Sequence, residues 1–205
     1  MIQKFEDLNE MHLDVLTEIG NIGSGNASTA LSSMIGKEIK IKLPQVMTLD
    51  FQDAIEHCGS PEELRASVLI RLKDELEGMI LLLITKELAE TILNIFFQKT
   101  NIDLLALDEG DTSALSEIGN IMGSSYMSAI GTLTNLKIGV EAPVFTVDML
   151  GAIMSVPVIE FGEVGDKLLC IDKSIEIDGV CIKSNMMLIP TVNSLSLLFS
   201  RLGIT

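Results

Sequence analysis

Tryptophan is absent from this 205-residue chain, and aromatic residues make up only 4% of it. There are two histidines, His12 and His57, too few for a histidine-rich metal site. Neither H-E-x-x-H nor a His/Cys cluster at ligand spacing occurs. Cys58, Cys170 and Cys181 are odd in number and contain no C-x-x-C pair, so they read as buried thiols in a reducing compartment, without disulfide or metal role. Long apolar runs are missing too. The longest, Met79 to Ile84, is far short of the roughly 20 residues that span a bilayer. The opening MIQKFEDLNEMH lacks the apolar core of a secretory signal, and the expectation is a cytoplasmic protein. Positive charge is scarce: 14 basic residues stand against 29 acidic ones, a net charge of −15. That field repels phosphate backbones and anionic lipid, so nucleic acid and membrane surfaces are poor partners. With 47% hydrophobic residues, the chain has enough apolar surface for a well-buried core.

What the chain does have is a duplication. The residues EIGNI occur as Glu18–Ile22 and again as Glu117–Ile121, 99 positions apart. Each copy has Asp14 or Ser113 four residues before its Glu, and Pro44 or Pro143 23 residues after its Asn. Two occurrences of D/S-x3-E-x2-N-x22-P are not expected by chance. A repeated polar constellation also points to a site, because core packing asks for Leu and not for Asn. Comparing Asp14–Leu31 with Ser113–Ile130, seven of 18 positions are identical.

The repeat continues beyond the motif. After each Pro comes a β-like stretch ending in Thr48-Leu49-Asp50 or Thr146-Val147-Asp148, then a short helical segment, FQDAIEH or MLGAIMS. A hairpin-like pair follows, SVLIRL and GMILLLI around KDELE in the first half. In the second it is KLLCID and MMLIP, with EIDGVCIK read as the connector. Each half closes on an amphipathic helix, KELAETILNIFF or TVNSLSLLFSRL. The expected fold class is α+β: duplicated helix–strand–hairpin–helix units forming one continuous, mostly antiparallel sheet with helices packed on it. With no Pro/Gly/Ser-rich linker, residues 1–205 read as one pseudo-twofold domain of two repeats, about 10–100 and 109–205. Asp108 or Asp111 is placed to cap the second motif helix.

At about 100° per residue, Asp14, Glu18 and Asn21 fall within roughly 60° of one another on a helix. Val15, Leu16, Ile19, Ile22, Ala27 and Ala30 take the other side. The second copy repeats this with Ser113, Glu117 and Asn120 against Ala114, Leu115, Ile118, Ile121 and Ala129. Each helix is expected to bury its apolar face and direct a Glu and an Asn outward. The glycines at 20, 23, 119 and 123 each cost about 1 kcal/mol of helix propensity and call for close approach of another backbone. An Asn amide donates and accepts hydrogen bonds without titrating, so it can hold a water; a Glu carboxylate can pair with a partner's cation. Neither is a nucleophile. Such a pair suits completing another protein's active site better than stand-alone hydrolysis.

Blander readings exist. One Glu/Asn pair alone is most simply a solvated helix face, and its exact duplication weighs against that. The Gly-rich run GNIGSGN follows no strand and has no adjoining Lys, unlike a phosphate-binding loop. Adjacent His57 and Cys58 point apart and lack a third member for nucleophilic catalysis.

The doubled pattern resembles the CheC/CheX/FliY family of chemotaxis phosphatases, over essentially the whole chain. The resemblance implies phosphorylated CheY, the response regulator of flagellar rotation, as substrate. It implies Glu18 with Asn21 and Glu117 with Asn120 as the catalytic residues, and the receptor deamidase CheD as a second partner. No cofactor or metal is then expected in this chain, Mg²⁺ being supplied by CheY, and a monomer is expected. The rival within this reading is a non-catalytic, flagellar-switch-like adaptor that binds phosphorylated CheY.

Overall fold

The computed structural model describes residues 4–161 and 167–204. Along the chain the elements are α1 (Glu10–Ile35), β1 (Ile39–Asp50), α2 (Phe51–Cys58), β2 (Leu64–Asp74), β3 (Gly78–Ile84) and α3 (Lys86–Phe97). Then follow α4 (Glu109–Thr134), β4 (Ile138–Val140), β5 (Val144–Met149), α5 (Leu150–Phe161), β6 (Lys167–Ile177), β7 (Val180–Pro190) and α6 (Val192–Arg201).

Capping chemistry sets where the two motif helices begin. The Asn9 side chain accepts from the His12 N–H at 3.2 Å and starts α1. Asp108 accepts from the Asp111 N–H at 3.0 Å, while the Asp111 carboxylate accepts from the Asp108 N–H at 3.1 Å. Both acidic candidates therefore cap α4 reciprocally, and Lys99 bridges their carboxylates at 2.6 and 2.7 Å. The helices end on left-handed residues, Gly36 (φ 72°) and Asn135 (φ 57°).

All pairings in the seven-stranded sheet are antiparallel, in the order β1-β6-β7-β3-β2-β4, with β5 also on β2. The two hairpins lie side by side at the centre. Each half's opening strand crosses to the other half's hairpin: β1 pairs with β6, and β4 and β5 pair with β2. Thr85 and Thr191 cap the helices that follow β3 and β7, which makes them equivalent. On that equivalence Leu81 corresponds to Met187, and these two face each other in the central pairing. The pseudo-twofold axis passes between them, normal to the sheet, and reverses the direction of α1 relative to α4.

The Pro of each motif lies in a register irregularity of an outer strand. From Lys42 to Gln45 is three steps, against two from Ser174 to Asp172. From Val140 to Val144 is four, against three from Leu72 to Leu69. One extra residue per edge accommodates Pro44 and Pro143, which cannot donate to a ladder. Three boundaries differ from the sequence reading. Strand β1 begins before Pro44, not after it. The supposed connector EIDGVCIK is itself strand, turned by Asp178 (φ 50°) and Gly179 (φ 83°) in the two-residue manner typical of Asp-Gly. The segment MLGAIMS extends into the 12-residue α5.

Helices cover both faces of the sheet. Strand β3 is buried throughout. Ile80, Leu82 and Ile84 pack in the core under α1, α3, α4 and α6, while Met79, Leu81 and Leu83 pack under α2 and α5. On the first face Leu16 and Ile19 of α1 and Leu115 and Ile118 of α4 are fully buried, as the helical spacing requires. Ile22 and Ala30 are exceptions, both exposed; at 100° per residue Ile22 stands only about 40° from Glu18 and so belongs to the outer side. No helix among the described residues is long and apolar enough to cross a membrane.

Candidate functional site

The glycines explain how α1 and α4 are held. A Cβ on Gly23 would stand 2.9 Å from Tyr126 Cα, so α1 meets the backbone of α4 there. A Cβ on Gly119 would stand 2.6 Å from Val68, and one on Gly123 2.7 Å from Ile70, so α4 is seated closely on β2. The close approach is thus internal, and for Gly119 and Gly123 it is to side chains of a strand instead of to a backbone. With their inner faces fixed, the helices present the motif residues outward.

Asp14 and Glu18 are exposed and Asn21 is half-buried; Ser113, Glu117 and Asn120 repeat these positions on α4. The Asn side chains are less open than the angular reading expects, because each lies toward the flank of its helix. The Asn21 amide donates to Glu18 Oε2 at 3.2 Å, and Asn21 Oδ1 is buried without a hydrogen-bond partner among the described residues. Glu117 and the Asn120 side chain have no hydrogen-bond partner among the described residues, so the second pair is uncommitted. The Asn120 carbonyl is engaged by Ser124 Oγ at 2.6 Å. Exposed Met11 and Ile22 flank Glu18 on α1, giving the first pair an apolar border.

Beneath this layer Lys173 of β6 is buried. Its ammonium lies 5.6 Å from the centre of the Tyr126 ring and 3.5 Å from Met186 Sδ, and burial pushes its pKa from 10.5 down to about 8. On the opposite face of the sheet a group escaped sequence reading. His57 Nε2 lies 2.7 Å from Asp172 Oδ2, and Cys170 Sγ lies 3.7 Å from Asp172 Oδ1. Cys58 hydrogen-bonds Cys170, which together with burial holds the Cys170 thiol protonated. His57 and Asp172 lie 115 positions apart, so no local spacing signals this cluster. Cys58 and Cys170 are buried as expected, but Cys181 is exposed, because it stands beside the Asp-Gly turn at the sheet's end.

Comparison with known proteins bears on the outward-facing pairs. Residues 11–47 and 111–147 each match the model of the CheC-like family, and each match contains one Glu/Asn pair. The CheY-P phosphatase CheC of Bacillus subtilis strain 168 is 29% identical over 203 residues, 97% of each chain. The flagellar motor switch phosphatase FliY of the same strain is 26% identical over 143 residues, 69% of this chain and 37% of its own length. Among solved structures, Thermotoga maritima FliY superposes with a TM-score of 0.75 at 23% identity, over 96% of this chain and 98% of that one.

Proposed function

We propose that this chain, in which residues 11–47 and 111–147 match the CheC-like family model, is a chemotaxis phosphatase that accelerates hydrolysis of the aspartyl phosphate on CheY. One observation carries the reading. An exposed Glu and a half-buried Asn stand one turn apart on the outer side of α1, and the same pair recurs on α4.

The chemistry asked of the pair is modest. An aspartyl phosphate is an activated acyl phosphate, and the regulator brings its own Mg²⁺ and Lys to the phosphoryl group. Water attacks phosphorus, the bond to the Asp oxygen breaks, and inorganic phosphate and a free carboxylate result. Asn21 or Asn120 enters the regulator's site and orients that water in line, as an auxiliary residue does in GTPase-activating systems. Such positioning is worth roughly 2–4 kcal/mol, a factor on the order of 10² to 10³. Glu18 or Glu117 docks on the regulator's cation, and exposed Met11 and Ile22 suit the apolar part of a protein contact. The metal of this step belongs to the regulator. The same reading makes CheD a second partner of this chain.

The decisive experiment adds the purified protein in catalytic amounts to radiolabelled phospho-CheY of the same organism and follows phosphate release. Acceleration with turnover is expected. Stoichiometric binding that leaves the phosphate lifetime unchanged would replace this reading with that of a non-catalytic adaptor.

A further inference from the structure

On the sheet face opposite the Glu/Asn pairs, His57 ends α2 with Cys58, while Cys170 and Asp172 of β6 point toward them. One ligand atom from each of His57, Cys170 and Asp172 lies within 4.8 Å of the other two, the only such group among the described residues. Asn185 Nδ2 donates to Asp172 Oδ1 at 2.7 Å and fixes that carboxylate's orientation. His57 and Asp172 border a cavity of about 550 Å³, on whose wall Cys58, Arg65, Lys173, Lys183 and Asn185 also stand.

We propose that His57, Cys170 and Asp172 form a binding site for a zinc-class divalent ion, separate from the phosphatase sites. One imidazole nitrogen, one sulfur and one carboxylate oxygen match the donor preference of Zn²⁺ and not the all-oxygen shells of Mg²⁺ or Ca²⁺. Binding displaces the Cys170 thiol proton to solvent, and the resulting thiolate with the carboxylate balances the divalent charge. Of the cationic residues on the wall, Arg65 is already engaged by Glu63 and by the Cys58 carbonyl at 3.1 Å, the Lys173 ammonium lies against Tyr126 and Met186, and Lys183 is exposed to water. Asn185 stands where a group that orients a ligating carboxylate is needed. Three protein ligands leave the fourth tetrahedral position to water or to a small ligand from the cavity. The bound ion ties the end of α2 to β6.

The test uses the full chain, stripped with a chelator and titrated with Zn²⁺ by calorimetry and with Co²⁺ by absorption spectroscopy. One equivalent is expected to bind, with a thiolate-to-cobalt charge-transfer band reporting Cys170, and Zn²⁺ should raise the unfolding temperature. His57→Gln, at a solvent-accessible position, should stay folded and bind at least tenfold more weakly; Asn185→Ala should weaken binding by on the order of tenfold. Cys170→Ser should abolish the charge-transfer band. Absence of saturable Zn²⁺ and Co²⁺ binding by the wild type overturns the proposal, and so does binding that His57→Gln leaves unchanged. Neither readout depends on phosphatase activity, so failure here leaves that reading untouched.

Discussion

The Tyr126 hydroxyl of α4 donates to the backbone carbonyl of Leu16 on α1 at 3.3 Å, two residues from Glu18. The only tyrosine in the chain therefore links the two helices that carry the Glu/Asn pairs. It does so where Gly23 lets the helices come together. The spacing of the two pairs is thus set by an internal contact, and each pair can be altered from outside without disturbing it.

Replacing Asn21 and Asn120 together by Ala should abolish acceleration of phospho-CheY hydrolysis while leaving the fold intact. Asn21→Ala even removes a buried oxygen that has no partner. Each single variant should keep part of the activity. Asn120→Ala should lose more, because Asn21 is tied to Glu18 whereas Asn120 is free. Phosphate-release rates beside circular dichroism check this. A folded double variant working at the wild-type rate would remove the assigned mechanism.

Glu18→Ala with Glu117→Ala should weaken binding of the phosphorylated regulator as well as the rate. Titration against a stable acyl-phosphate mimic of CheY separates the two effects. Unchanged affinity with reduced turnover would move the Glu residues from docking to chemistry.

Two neighbouring glycines should respond in opposite directions. Gly23→Ala meets the backbone of Tyr126, which cannot yield, and should cost about 1–3 kcal/mol in urea unfolding. Gly25→Ala enters open space in the same helix and should gain up to about 1 kcal/mol of helix propensity. Equal effects would mean that the α1–α4 contact is looser than described.

The legible part of the molecule was the part with local periodicity. Both motif helices, the β2–β3 hairpin and the amphipathic α3 and α6 follow from spacing alone, and the cap of α4 was narrowed to Asp108 or Asp111, both of which take part in it. What spacing cannot carry is pairing between distant segments. The exchange of β1 and β5 between halves and the meeting of His57 with Asp172 both depend on tertiary crossing. The Asp178-Gly179 turn was present in the sequence as Asp-Gly, but the polar residues around it masked two strand ends.

Lys173 gives stability a pH signature. Its pKa falls from 10.5 unfolded to about 8 folded, so the unfolded chain binds more protons between these values and stability rises with pH across that window. Below pH 8 the buried charge costs about 3 kcal/mol. Lys173→Met should therefore be more stable than wild type at pH 7, and the difference should shrink toward pH 10.5. Parallel denaturant titrations measure it, and a pH-independent difference would contradict it.

For CheD, the charge of −15 supplies a long-range pull on any basic surface. The complex should form in a pull-down at low salt, and its association rate in stopped-flow mixing should fall as salt rises. No complex at low salt would exclude this partner.

A chain whose opening strand serves the far hairpin offers no clean cut. Severed in the 98–108 connection, each fragment would keep a hairpin but lack the strand that covers its edge, since that strand lies on the other fragment. Mixed, the fragments should recombine; alone, each would be driven to pair with its own twin. The molecule is in effect a homodimer written as one polypeptide. Fusion releases its two sites from having to be identical, and the tied Glu18–Asn21 pair beside the free Glu117 and Asn120 is the divergence that this freedom permits.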